Sequence, residues 1–370
     1  MASNRPEFDI AIIGAGPAGA SAAISALRSG AKVVLFEAGE FPRHKVCGEF
    51  VSAESLDVLR DLVRDLPGAE RRLASAPAIV SVRLLLGHRA VTARVVPRAL
   101  SLPRYDLDLL LWKAAQQAGV QTRSACDVRD LSGDGPFRLD TSAGTIEAAA
   151  VIVAAGRWSR FTTRGPVPEG PKWIGLKAHY REAQPPSSTD LYFFDHGYCG
   201  VQPVADELVN ACAMVRSDRA TSLQEVFTLH PGLFERSRSW QPVTQSVTTA
   251  PLIYRTPRPV SGNRIIVGDA AAFIDPFVGD GISIALRTGQ LAARALQPFL
   301  KGAASLVAAV TGYKTKYEEQ FLPTITTASR IRAILSWPRP AQLAAFELLR
   351  LPGVMPYIIR RTRQTDQATR

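Results

Sequence analysis

The stretch FDIAIIGAGPAGASAAISALRSGAKVVLFE, residues 8–37, decides the fold. It opens with the apolar run Phe8–Gly14, which is typical of a strand buried on both faces of a sheet. A glycine-rich turn follows, and then small and apolar residues at helical spacing up to Gly30. A second apolar run ends at Glu37. The sequence therefore predicts a strand, a glycine loop, a helix and a second strand that pack as one unit.

The glycines of this loop have separate tasks in a cradle for a dinucleotide. Gly14 permits the tight turn, Gly16 lets the backbone approach a pyrophosphate, and Gly19 brings the helix close to the sheet. The helix N-terminus around Ala18 offers free N–H groups to phosphates. Glu37, at the end of the second strand, stands where a carboxylate accepts hydrogen bonds from ribose hydroxyls. Because strand, helix and acid all accompany the glycines, the pattern is specific for dinucleotide binding.

Length and composition indicate a globular enzyme. The chain has 370 residues, enough for two joined domains, with 46% hydrophobic and 21% charged residues. No run approaches ~20 consecutive apolar residues, and the short polar N-terminus lacks the features of a secretory signal. We therefore expect a cytoplasmic protein. The four cysteines and five histidines show no spacing typical of disulfide frameworks or metal ligands, so no metal is predicted.

Apolar runs and amphipathic patterns divide the chain into regions. The predicted fold class is α/β, with a Rossmann-like dinucleotide-binding domain, an inserted β-rich substrate domain and a helical C-terminal region. The nucleotide domain is discontinuous and takes residues 1–70, 104–165 and 255–300, and the substrate domain takes 71–103 and 166–254. Within the nucleotide domain, Arg104–Gly119 is predicted as an amphipathic helix, and NRIIVGD at 263–269 as a last buried strand before a helical stretch.

The C-terminal region, residues 301–370, is helical in pattern and basic. Between positions 330 and 370 there are eight arginines against two acidic residues, mixed with apolar and aromatic side chains. This pattern predicts amphipathic helices with a basic face. Such a face is either a solvated cap or a peripheral docking surface for an anionic membrane or a partner protein. No stacking platform or DNA-reading motif accompanies the charge, which argues against nucleic acid.

Three further segments make the chain resemble a flavoprotein family. They are VIVAAGRWS at 151–159, RIIVGDAAAFIDPFVGDGISIALRTGQ at 264–290 and RHKVCGE at 43–49. With the glycine loop, they resemble the FAD-dependent p-hydroxybenzoate-hydroxylase-like group, and within it the geranylgeranyl reductases. The stretch GYCGVQPV at 197–204 is similar to the GYxWxFP strand of those reductases, and CGE at 47–49 stands where they carry CGG. The resemblance implies FAD as a non-covalent cofactor.

The resemblance also implies roles for residues around the flavin. Asp269 would accept a hydrogen bond from a ribityl hydroxyl, and the turn before Ile282 would lay its backbone beside the isoalloxazine. The helix that begins there would aim its N–H groups at the pyrimidine edge of the flavin. Val128 lies on the strand whose backbone meets the adenine in this family. The other cofactor positions implied by the motifs are Arg43, Arg104, Ala155, Gly156, Gly268, Gly279, Asp280 and Gly281.

The sequence departs from this group at two places, and these departures bear on the reductant and on the type of reaction. Ala155 stands where the hydroxylases usually carry an aspartate associated with NADPH handling, and no second glycine motif marks a nicotinamide domain. NADPH or NADH is therefore expected to act only as a transient reductant. The WxWxIP stretch of flavin-dependent halogenases is missing, since WIGLKAHY at 173–180 does not replace it. This absence argues against halogenation.

With no other catalytic grouping in the sequence, the flavin must carry the reaction, and Cys47 and Glu49 are the candidate catalytic residues. Cys47 is either a structural residue or a neighbour of the flavin and the substrate tunnel, and Glu49 is a candidate proton donor. The substrate cavity is expected between the flavin and the sheet carrying Tyr192, Tyr198 and Gln202.

The resemblance implies a bulky, largely apolar or aromatic substrate and leaves two reactions open. One is reduction of C=C bonds, as in the geranylgeranyl reductases. The other is a monooxygenase reaction, in which an aromatic group is hydroxylated through a flavin C4a-hydroperoxide. A third alternative is a flavoprotein accessory or electron-transfer factor that acts on a partner protein through the basic C-terminus.

Overall fold

The computed structural model describes residues 6–157, 160–161, 169–275, 277, 279–334, 337–351 and 353–355. In chain order the strands are β1 (Phe8–Ile13), β2 (Val33–Phe36), β3 (Phe50–Val51), β4 (Ala78–Leu86), β5 (Arg89–Ser101), β6 (Gln121–Arg123), β7 (Val128–Ser132), β8 (Phe137–Thr141), β9 (Gly144–Val153), β10 (Trp173–Arg181), β11 (Ser188–Phe194), β12 (Gly197–Ala205), β13 (Leu208–Arg216), β14 (Gln241–Pro242), β15 (Val247–Thr249), β16 (Val260–Ser261) and β17 (Arg264–Ile266). The helices are α1 (Pro17–Arg28), α2 (Ala53–Val63), α3 (Ala69–Ala74), α4 (Arg104–Ala118), α5 (Leu223–Thr228), α6 (Pro231–Ser237), α7 (Gly281–Leu300), α8 (Leu306–Ile334) and α9 (Arg339–Leu349).

The first sheet follows the order β16-β17-β9-β1-β2-β6, and β8 pairs with β9 and β7 to extend it. Strand β1 lies at its centre and runs parallel to both β2 and β9. Its continuous apolar sequence fits this position, since both faces of a parallel sheet are covered. Helices α1 and α7 pack closely against each other on this sheet, where a Cβ on Gly289 of α7 would lie 2.3 Å from the Ala18 carbonyl oxygen.

The second sheet follows the order β14-β10-β13-β12-β11-β4-β5-β3, with β15 paired to β10. It draws its strands from both predicted β-rich pieces, and also takes β3, which lies in the stretch that the sequence assigned to the nucleotide domain. Side chains alternate between its two faces, as in any strand. The outer face, with Tyr192 and Val201, packs under α5 and α6, and the inner face turns toward the first domain.

The structure corrects two predicted element boundaries. The last buried strand, predicted at 263–269, ends at Ile266, and Asp269 lies in a short 3-10 turn at Gly268–Ala270. Gly268 adopts a positive φ of 59°, which takes the chain out of the extended conformation at this point. The helix expected directly after that strand begins only at Gly281. The helix predicted at Arg104–Gly119 is present as Arg104–Ala118, with Gly119 as its C-cap.

The C-terminal region contributes α8 and α9, and the arginines at 360, 361, 363 and 370 lie outside the described residues. Arg332 packs on the Tyr254 ring, with its guanidinium carbon 3.6 Å from the ring centre, and its side chain is 31% exposed. No helix within the described ranges combines the length and apolar character needed to cross a bilayer.

Candidate functional site

A cavity of about 430 Å³ lies between the two sheets and runs from the glycine loop to the C-terminal helices. One wall comes from the first domain and contains the glycine loop, the turn after β17 and the start of α7. The opposite wall is the inner face of the second sheet, and α8 and α9 close the far end. The sheet wall consists of Val82, Leu84, Leu86, Gly175, Thr189, Leu191, Phe193, Tyr198, Gly200, Gln202, Cys212, Ala213 and Met214.

The glycine loop forms a cradle that side chains would fill. A Cβ on Gly14 would lie 2.5 Å from the Ala154 carbonyl oxygen, and Gly14 itself has a φ of 98°. A Cβ on Gly19 would lie 1.8 Å from the Gly14 carbonyl oxygen, so α1 approaches β1 as closely as the sequence predicted. At Gly16 the nearest atom to such a Cβ is Arg104 Nη2, 3.9 Å away, which leaves open space above the loop. This shape fits the pyrophosphate of a dinucleotide.

Arg104 supplies a fixed cation beside this cradle. Its side chain donates two hydrogen bonds to the buried Asp108 carboxylate, at 2.6 and 2.7 Å. Burial alone would lower the pKa of Arg104, but the charge of Asp108 outweighs burial and raises it. Arg104 lines the cavity with Gly16 and Ala18, so the structure brings together three of the residues predicted at the cofactor.

Glu37 directly follows β2 and is held by a separate set of hydrogen bonds. Its carboxylate accepts hydrogen bonds from the Ala15 and Gly39 amides at 3.0 and 3.1 Å, and from both terminal nitrogens of Arg43. Burial would raise the pKa of Glu37, but the Arg43 bonds and charge hold it below its usual range. The carboxylate is therefore ionised and remains an acceptor, as its predicted role at a ribose requires.

Val128 lies near this site but does not line the large cavity. The amides of Ala125 and Cys126 donate to the Gly39 and Glu37 carbonyl oxygens, which joins the chain just before β7 to the end of β2. Glu37, Arg43 and Val128 thus form one neighbourhood at the edge of the first sheet, apart from the cavity. The separation matches a dinucleotide whose two halves occupy different ends of the domain.

The turn before α7 opens onto the cavity, where Gly279, Gly281 and Ile282 line the wall. A Cβ on Gly279 would lie 3.0 Å from the Phe50 ring, so the turn leaves no room for a side chain. Asp280 is buried behind the wall, and its carbonyl oxygen accepts the Ile284 amide in the first turn of the helix. The α7 N-terminus therefore offers its N–H groups to the cavity, as the flavin prediction required.

Asp269 and Gly156 lie beside this turn and both line the cavity. The side chain of Asp269 is 43% exposed toward the cavity. Arg157, which was not among the predicted site residues, lies 3.8 Å from the Asp269 carboxylate, and its guanidinium carbon lies 4.2 Å from the centre of the Phe273 ring. Gly268 also lines the wall, while Ala155 lies behind it, close to Gly14.

Cys47 and Glu49 both line the cavity, as predicted. The protonation of Glu49 differs from what a proton donor requires. Burial raises the pKa of the Cys47 thiol, so the sulfur keeps its proton. The Glu49 carboxylate is fully buried and accepts hydrogen bonds from Lys177 Nζ at 2.8 Å and from the Arg104 amide at 2.9 Å. His179 Nε2 lies 2.8 Å from its other oxygen.

This arrangement argues against Glu49 as a proton donor. Burial would raise the pKa of Glu49, but the His179 hydrogen bond and the Lys177 charge outweigh it and hold the pKa below the ordinary 4.5. Glu49 is thus a carboxylate at neutral pH with no proton to give. Its φ of 62° is unusual for a residue with a side chain, and the three bonds fix it there.

The sequence did not identify the buried partners of Glu49. Lys177 and His179 lie on β10 with exposed fractions of 1% and 3%, although charged side chains seldom occupy such positions without a partner. They alternate with apolar residues in a strand pattern, so only the register of the sheet shows that they face Glu49. His44 lies 3.5 Å from Lys177 Nζ, and burial and that charge lower the pKa of His44.

Four polar side chains, which we term the polar row, follow one another across neighbouring strands of the second sheet: His179, Asn210, Gln202 and Thr189. The sheet register pairs Asn210 with both His179 and Gln202. Thr189 Oγ1 donates to Gln202 Oε1 at 2.8 Å, and Asn210 Nδ2 donates to the Cys47 carbonyl oxygen at 3.0 Å. The polar row therefore runs beside the 47–49 loop, and the rest of the sheet wall is largely apolar.

A second buried carboxylate, Asp275, joins the sheet wall to α8. It accepts hydrogen bonds from the hydroxyls of Tyr198 and Tyr254 at 2.9 and 3.0 Å. Burial raises the pKa of Asp275 despite these bonds. Of the residues predicted for the cavity wall, Tyr198 and Gln202 line it, whereas Tyr192 faces the opposite side of the sheet, where it packs against His230.

Comparison with known proteins identifies the family. Residues 7–316 match the family described as FAD binding domain. The chain is 26% identical to menaquinone reductase from Mycolicibacterium smegmatis, over 95% of this chain and 90% of that protein. It is 24% identical to digeranylgeranylglycerophospholipid reductase 1 from Methanopyrus kandleri, over 94% of this chain and 98% of that protein.

Among solved structures, the flavin-dependent brominase Bmp2 superposes with a TM-score of 0.80 and 20% identity, covering 96% of this chain and 93% of that chain. At this identity the likeness establishes a shared fold and does not bear on the reaction. It confirms the predicted α/β class with a Rossmann-like domain, and it leaves the argument against halogenation a prediction.

Proposed function

The chain belongs to the FAD binding domain family and is an FAD-dependent oxidoreductase, and from this premise we propose that it reduces C=C bonds in a bulky, largely apolar substrate. The observation that carries the proposal is the single cavity that joins the glycine loop and the α7 N-terminus to the apolar wall of the second sheet and to α8 and α9. A substrate there lies against the predicted flavin position with most of its surface on apolar side chains.

Reduction is supported by two relatives. Menaquinone reductase and digeranylgeranylglycerophospholipid reductase 1 align over nearly the full length of both chains, and both are named as reductases. Identities of 26% and 24% leave the substrate open. The inference for this chain is therefore the reaction type and an apolar substrate of similar bulk.

Bound FAD would supply hydride transfer. The glycine loop and Arg104 would hold its pyrophosphate, Glu37 the adenosine ribose, and Asp269 the ribityl chain. The α7 N-terminus at Gly281 would favour negative charge on the ring system. These positions lie in the first domain, so the second sheet is left to bind the substrate.

The proton for such a reaction would come from the cavity wall. Glu49 holds none, whereas the half-buried Cys47 retains its proton at Sγ and lines the cavity. We therefore propose Cys47 as the proton donor, positioned through its carbonyl oxygen by Asn210. Cys47 lies in the wall that joins the glycine loop to the second sheet, within reach of a substrate that fills the cavity.

The test is anaerobic turnover of dithionite-reduced holoprotein with polyprenyl quinones and isoprenoid lipids, followed by mass spectrometry. Gain of two hydrogens per C=C bond, measured after any quinol has been reoxidised to the quinone, supports the proposal. Gain of an oxygen atom, seen only when air is admitted, would establish the monooxygenase alternative instead. Flavin that is readily reduced, yet reoxidised only by a protein partner and without any change in these lipids, would establish the electron-transfer alternative.

A further inference from the structure

The GYxWxFP pattern and this chain differ at two cavity positions. Aligned on Gly197 and Pro203, the pattern places Trp at position 200 and Phe at position 202, where this chain has Gly200 and Gln202. Both residues line the cavity, on the inner face of β12. In this chain, Gly200 leaves open space where the pattern has the tryptophan ring, and the Gln202 amide stands where the pattern has the phenylalanine ring.

The cavity has room for a small side chain at position 200. A Cβ there would lie 3.3 Å from Leu191 Cδ2 and 3.7 Å from the Cys212 carbonyl oxygen, so small side chains fit with a slight shift of Leu191. Larger atoms at this position would extend from the inner face into the cavity. Gly200 therefore forms the floor of a recess between Leu191 and Cys212.

Gln202 forms one side of this recess and is held by two bonds. Its Oε1 accepts from Thr189 Oγ1 at 2.8 Å, and its Nε2 donates to Ser101 Oγ at 2.6 Å. An amide nitrogen carries two hydrogens, and a hydroxyl oxygen accepts as well as donates. The second N–H of Gln202 and the lone pairs of Thr189 therefore remain for a ligand that enters the cavity.

We propose that Gly200, Gln202 and Thr189 form a polar subsite that holds a planar ring bearing a carbonyl or hydroxyl oxygen. The proposal rests on the proposed function, because it places the head of that apolar substrate. The remainder of the substrate extends along Leu84 and Leu86 toward α8 and α9. The ligand class is an oxygenated aromatic or quinonoid ring with an apolar chain, since a hydrocarbon alone would leave the amide unmatched.

The subsite is tested with two probes of the same shape, 2,3-dimethyl-1,4-naphthoquinone and 2,3-dimethylnaphthalene. The methyl groups block addition of the Cys47 and Cys212 thiols to the quinone. Dissociation constants for the oxidised holoprotein come from the perturbation of the flavin spectrum and from calorimetry. We expect wild type to bind the quinone about tenfold more tightly than the hydrocarbon, the effect of one hydrogen bond.

The variants separate the subsite from general damage. Gln202→Leu should abolish the preference for the quinone and leave hydrocarbon binding within about twofold. Thr189→Val should weaken the preference, because Gln202 Oε1 loses the donor that orients the amide, while Thr189→Ser, which keeps the hydroxyl, should retain it. Gly200→Trp should weaken both probes at least tenfold at an unchanged FAD content, because the indole fills the recess.

Equal affinity of wild type for both probes, binding of neither, or a preference that survives Gln202→Leu would overturn the subsite. Flavin content and reducibility are measured on the same samples. Protein without reducible FAD would contradict the proposed function itself, whereas reducible FAD without the quinone preference contradicts only the subsite.

Discussion

Replacing Glu49 by Gln removes one negative charge from a buried cluster while keeping its shape. The carboxylate accepts bonds from Lys177 at 2.8 Å and the Arg104 amide at 2.9 Å, and it lies 2.8 Å from His179 Nε2. The substitution leaves Lys177, which is 1% exposed, without a counter-charge. Removing one partner of a buried ion pair lowers stability by about 3–5 kcal/mol.

The assay is urea unfolding of FAD-saturated protein, followed by circular dichroism and flavin fluorescence. Lys177→Met should also destabilise, because it leaves the carboxylate without its cation. The double variant should be about 1–3 kcal/mol more stable than the sum of the single effects predicts, since the two residues share one interaction. Glu207→Gln is the matched control: Glu207 also has a positive φ, of 54°, but is exposed, so about 0.5 kcal/mol or less is expected.

The pH dependence distinguishes an ion-paired carboxylate from a proton donor. Because the pKa of Glu49 is lowered from 4.5 in the folded protein, its stabilisation is fully present above pH 4.5 and is lost as the pH falls through the lowered value. The stability gap between wild type and Glu49→Gln should therefore be larger at neutral pH than below pH 4.5. A gap that does not narrow in acid, or a loss below about 1 kcal/mol at neutral pH, would refute the reasoning.

Three further predictions concern the cofactor. Gly16→Val should give colourless protein, because its side chain occupies the space of the pyrophosphate; FAD released on denaturation measures this, and a yellow variant would contradict the placement of the cradle. Asp269→Ala should raise the FAD dissociation constant about five- to a hundredfold, for a lost hydrogen bond of about 1–3 kcal/mol, with the fold intact by circular dichroism; an unchanged constant would remove Asp269 from the flavin site. Reduction of the bound flavin by NADPH alone should be slow in stopped-flow experiments and faster with substrate, since Ala155 replaces the aspartate associated with NADPH handling; rapid reduction without substrate would show ungated access.

The first strand, the glycine loop and the first helix could be predicted because residue type and spacing determine them locally. The φ of Gly14 and the close approach at Gly19 follow from residue type and spacing alone, and both appear in the structure. Helix α4 was equally clear, because its amphipathic pattern ends at Gly119, which adopts the left-handed conformation common at helix ends.

Features set by tertiary contacts could not be predicted in the same way. Tyr192 was expected in the cavity with Tyr198, but the register of β11 turns Leu191 and Phe193 inward, and a shift of one residue exchanges the faces of a strand. The end of β17 depends on Gly268, whose amide donates to Thr288 Oγ1 on α7, far away in the sequence. The burial of Lys177 likewise depends on a partner that is distant in the chain.

Two departures of this chain from the reductase pattern place buried polar side chains at opposite ends of the polar row. Glu49, which stands at the last glycine of CGG, is neutralised by Lys177 and hydrogen-bonded to His179 at one end of the row. Gln202, which stands at the phenylalanine of GYxWxFP, satisfies the hydroxyls of Thr189 and Ser101 at the other. A buried polar network is stable only when all its members are satisfied, so restoring phenylalanine at 202 alone would leave both hydroxyls without this partner. Both substitutions make the cavity wall more polar, and this is why we infer an oxygenated ring as the head of the substrate.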